Sequence, residues 1–73
     1  MTIKDYYNQF SQKERSVIIA EIVGKGGCTP ASVYMWLREQ RKPLPLYQQL
    51  ITQVLRKHTG KNLTPEDLFP RSI

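Results

Sequence analysis

The run Gly26-Gly27-Cys28-Thr29-Pro30 constrains the fold more than any other part of the chain. Glycine takes positive φ at no steric cost, so a helix arriving from the N-terminal side can stop there. Thr29 is a good N-cap, and Pro30 suits the first helical position, where no amide donor is needed. A helix is therefore predicted from Pro30 to about residue 39. Within it Val33, Trp36 and Leu37 fall at i, i+3 and i+4, on one buried face. Tyr34, Met35 and Arg38 point elsewhere, and Ala31 and Ser32 lie near the exposed start.

The rest of the chain reads as helices around this one. Ile3, Tyr6, Tyr7 and Phe10 recur on one helical face behind a Thr2 cap, with Asp5 suited to the helix dipole. Ser11-Gln12-Lys13-Glu14 has the form of a capping box and predicts a second helix from Gln12 to about Val23 or Lys25. Val17, Ile18, Ile19, Ala20, Ile22 and Val23 make that helix apolar nearly all round, hence central. Consecutive β-branched residues also suit a strand, but the cap, the length and the following glycines favour helix.

Pro43 and Pro45 mark 40–45 as an extended linker. Leu46, Leu50, Ile51, Val54 and Leu55 give an apolar face to a helix running from Leu46 to about His58, which Thr59-Gly60 ends. His58 is read as a polar residue at a helix end. Thr64-Pro65-Glu66-Asp67 caps a last short turn that tucks Leu68 and Phe69 under the bundle. The expected core is Val17, Ile18, Ile22, Val33, Trp36, Leu37, Leu50, Ile51, Val54 and Leu55.

With Gly27, Val33 and Trp36 as turn glycine, buried aliphatic and large apolar residue, the segment resembles a helix-turn-helix of the lambda-repressor/Cro-like family. Cys28 takes the place of a small buried aliphatic in that family. The exit Trp36-Leu37-Arg38-Glu39-Gln40-Arg41-Lys42-Pro43 and the later stretch from Arg56 to Pro70 resemble the same proteins. The resemblance implies an all-α, four- to five-helix bundle of lambda-repressor type, one domain over 1–70 with a frayed tail at 71–73. It also implies binding of double-stranded DNA, with the helix at about 30–39 in the major groove. The groove-facing positions would then be Thr29, Ala31, Ser32, Tyr34, Met35 and Arg38. Lys25, Gln40, Arg41 and Lys42 would lie beside the phosphates. Family members usually act as homodimers on paired half-sites.

Charge points the same way. Residues 25–61 hold seven lysines and arginines against Glu39 alone, while the whole chain nets +5. A polyanion partner is the natural inference. The single Cys28 excludes an internal disulfide framework and fits a reducing compartment. The longest strictly apolar run, Val17-Ile18-Ile19-Ala20, is far short of a membrane span, so a cytoplasmic chain with no membrane partner is expected. The glycines around Lys25 lack the spacing of a phosphate-cradling loop. No carboxylate pair, metal cluster or Cys–His arrangement emerges, so neither catalysis nor a cofactor nor a small-molecule ligand is expected. The alternative is a helical protein-interaction module, an antitoxin-like or phage-type adaptor that keeps the fold without reading DNA and uses the Tyr34/Met35 face.

Overall fold

A computed structural model of the chain describes residues 2–69. The described residues form five helices and no strand: α1 (Ile3–Gln9), α2 (Gln12–Gly26), α3 (Pro30–Leu37), α4 (Pro45–Thr59) and α5 (Pro65–Leu68). The predicted tail, 71–73, lies outside the described residues.

Local chemistry sets most of the helix boundaries. Thr2 opens α1 with its amide donating to the Asp5 carboxylate at 2.9 Å, and Thr64 opens α5 through the same contact with Asp67 at 2.9 Å. Each satisfies a backbone donor that the first turn leaves without a partner. These hydrogen bonds from Thr2 and Thr64 hold the Asp5 and Asp67 carboxyls below the ordinary carboxylate value. Ser11 caps α2 by accepting from the Glu14 amide at 3.2 Å. Three helices, α3, α4 and α5, carry proline in the first turn.

Helix ends differ from the sequence expectation in two places. α2 runs through Gly24 and Lys25 to Gly26, because the reversal of φ is delayed to Gly27, at φ 65°. Gly26 has its own reason to lack a side chain. A β-carbon there would stand 2.9 Å from Leu50 Cδ2 and 3.2 Å from Tyr47 Cε1, so α2 and α4 approach closely at this point. α3 stops at Leu37 rather than near 39. Glu39 adopts the left-handed conformation at φ 61°, its amide donates to Trp36 O at 3.2 Å and the Gln40 amide to Met35 O at 2.9 Å. This is a Schellman stop with glutamate in the position glycine usually takes.

α2 packs against both α3 and α4, α1 closes over α3, and α5 lies on α4. Their shared core holds Ile3, Ile18, Ile22, Val33, Leu37, Ile51, Val54, Leu55 and Leu68, all under 2% exposed. Leu63 and Phe69 complete it from the C-terminal side. Val17 does not belong to the core: it is 46% exposed. Ile18 and Ile22, one helical turn apart, take the inward line of α2, and Val17 lies about 100° round from Ile18. Trp36 and Leu50 pack against the core without full burial. Leu46, expected on the apolar face of α4, is 75% exposed in its first turn.

Candidate nucleic-acid interface

α3 is oriented by what it buries. Val33 and Leu37 are wholly enclosed, and Trp36 lies against the core with its ring 4.9 Å from that of Tyr47. With that face inward, Ala31, Tyr34 and Arg38 form an exposed line at i, i+3 and i+7. Ser32 and Met35 flank it, half-buried. At the start of the helix Thr29 Oγ1 accepts from the Ser32 amide at 3.3 Å and donates to Ser32 Oγ at 3.0 Å. Both hydroxyls thus already have a partner within the cap.

Tyr34 and Arg38 form a unit. Arg38 Nη1 donates to the Tyr34 hydroxyl at 2.8 Å, and the guanidinium carbon sits 5.2 Å from the centre of the ring. That ring and the ring of Tyr7 in α1 meet edge to face, their centres 6.3 Å apart and their planes at 88°, a favoured aromatic geometry. Tyr7 in turn is held by Arg15, whose Nε donates to Tyr7 O at 2.9 Å while the guanidinium carbon lies 4.9 Å from its ring centre. Arg15 Nη2 also donates to Asn8 O at 3.0 Å. One side chain of α2 therefore satisfies two carbonyls at the end of α1.

The expected phosphate contacts fall into two groups. Lys25 Nζ lies 3.3 Å from Glu21 Oε2, so its charge is partly matched within the chain. Arg41 and Lys42 are exposed and make no ion pair among the described residues, and Gln40 beside them is exposed too. Arg41 and Lys42 line a shallow depression with Trp36, Glu39, Leu68 and Phe69, just beyond the end of α3. Cys28 is half-buried, its Sγ 3.8 Å from Ile22 O.

A second polar cluster was not legible in the sequence. Glu21 Oε1 lies 3.2 Å from His58 Nε2, and His58 Nδ1 lies 3.4 Å from Glu14 Oε1. Lys57 Nζ adds a contact to Glu21 Oε2 at 3.4 Å. The hydrogen bond from His58 is the main influence that holds the Glu21 carboxyl below its ordinary value, with Lys25 and Lys57 helping against partial burial. His58 stands in the last turn of α4, as the sequence reads, and from there also ties α4 to α2. Among the described residues no group of three His, Cys, Asp or Glu side chains can hold a metal ion. No helix among them is long and apolar enough to cross a membrane.

Compared with protein-family models, curated proteins and solved structures, the chain matches none of them.

Proposed function

We propose that the chain binds double-stranded DNA as a small Cro-like transcriptional regulator, with α2, the Gly27 turn and α3 acting as a helix-turn-helix. The observation that carries this reading is the pairing of the exposed line Ala31–Tyr34–Arg38 with Arg41 and Lys42 just beyond the helix end, which make no ion pair among the described residues. α3 enters the major groove in this reading. Arg41 and Lys42 neutralise phosphates and set the register, with Gln40 beside them and Lys25 contributing less because of Glu21. Side chains on the outer face of α3 meet base edges. One eight-residue helix covers few base pairs, so two copies act on paired half-sites.

A second reading has its own support. Leu44 and Leu46 are 68% and 75% exposed, a feature that suits a protein partner. Selection from a random pool of duplex DNA at about 0.15 M salt separates the two. The DNA reading expects an enriched motif, most simply an inverted repeat with half-sites about one helical turn apart. A pool left unenriched, with retention that salt abolishes, overturns it and leaves the adaptor reading in its place.

A further inference from the structure

We infer that Arg38 selects a guanine base, and that Tyr34 and Tyr7 are positioning residues that aim it. This rests on the DNA reading above. Residues 26–37 contain no charged side chain, so Arg38 is the first that the turn and α3 offer. Of the six expected groove-facing residues, Thr29 and Ser32 are bonded to each other and Ala31 and Met35 have apolar side chains. Arg38 alone presents a rigid fork of donors.

Its geometry answers the objection that a residue at the end of a helix lies far from the bases. The contact with Tyr34 runs from i+4 back to i, so the guanidinium folds one turn toward the N-terminus of α3. Tyr34 is fixed in its turn by the edge-to-face contact with Tyr7, which is 7% exposed and anchored by Arg15. The bond to Tyr34 uses one of the five guanidinium N–H groups. The Nε–Nη2 edge has no partner among the described residues, and no carboxylate pairs with Arg38 there. That edge carries two parallel donors, matching the O6 and N7 acceptors of guanine.

The test compares wild type, Arg38→Lys and Tyr34→Phe by selection from random duplex DNA, then by titration on the selected site and on the same site with its guanine replaced. Circular dichroism checks that each variant is folded, which is expected because Arg38 is exposed and Tyr34→Phe keeps the ring. Wild type should prefer the guanine site by about 5- to 150-fold. Lysine keeps the charge but loses the fork, so Arg38→Lys should flatten that one position, losing more affinity on the guanine site than on the site with the guanine replaced. Tyr34→Phe should reduce the preference by about 2- to 10-fold without changing which base is preferred. If Arg38→Lys keeps the guanine preference, or loses affinity equally on all sequences, Arg38 contacts phosphate and the assignment fails while the DNA reading stands. If wild type enriches no motif, the DNA reading itself fails and the assignment with it.

Discussion

Glu21 and His58 stand 37 residues apart in sequence and 3.2 Å apart in space, joining the middle of α2 to the end of α4. The pair is nearly enclosed, with side-chain exposures of 14% for His58 and 15% for Glu21. Replacing Glu21 by Gln keeps the shape and removes the charge that three neighbours share. A loss of about 1–2 kcal/mol at neutral pH is expected from the weakened charge-assisted bonds. The carboxyl is held below its ordinary value of 4.5 in the folded chain. Its stabilisation is therefore complete above that value and disappears as pH falls through the depressed one. Urea melts of wild type and Glu21→Gln should converge as the pH falls below about 5. A gap that stays constant as the pH falls would show that the ionisation of Glu21 is not what stabilises the contact.

Arg41 and Lys42 differ from Lys25 in making no ion pair among the described residues, and salt dependence reads that difference. Each phosphate contact removed should lower the log–log slope of affinity against salt by about 0.9. The double change Arg41→Ala, Lys42→Ala should lower it by about 1.8. Lys25→Ala should do less, since Glu21 already offsets its charge. A wild-type slope in the double variant would remove Arg41 and Lys42 from the interface.

Glu39 occupies a left-handed position at φ 61° that glycine fills at lower cost. Glu39→Gly should raise stability by up to about 1 kcal/mol, the relief of backbone strain exceeding the entropy added to the unfolded chain. Thermal unfolding measures it. A lower melting temperature would mean that the side chain, not the backbone, decides this stop.

Arg15 closes the end of α1 through the carbonyls of Tyr7 and Asn8. Arg15→Met keeps much of the stem and removes both bonds, so a loss of about 1 kcal/mol is expected, moderated by the solvent exposure of the Asn8 contact. Amide hydrogen exchange should quicken first in α1. Unchanged protection across Tyr6 and Tyr7 would show that α1 docks by its apolar face alone.

The helices were legible because each carries local punctuation. Ser11, Thr29 and Thr64 mark starts that the structure reproduces, and Gly27 and Gly60 supply the left-handed turns after α2 and α4. Depth was less legible. Periodicity put Val17 and Leu46 among core-facing residues, yet both lie open, because a face read from sequence does not say how far a neighbouring helix covers it. The early stop of α3 carries no sequence signal because it is made by glutamate rather than glycine. In the candidate site, the outward line Ala31–Tyr34–Arg38 follows from burying Val33 and Leu37, but the support from Tyr7 and Arg15 needs α1 folded onto α3. The Glu21–His58 contact has no local signature at all, since nothing in either helix indicates which residue of the other it will face.

The one tryptophan of this chain gives it a built-in light source. Trp36 rests on Tyr47 of α4 and borders the depression lined by Arg41 and Lys42. An indole so placed changes its emission when its stacking or hydration changes. Docking of a polyanion on the adjoining cations and loosening of α3 from α4 can both be followed by the chain's own fluorescence, with no dye attached to the surface being measured.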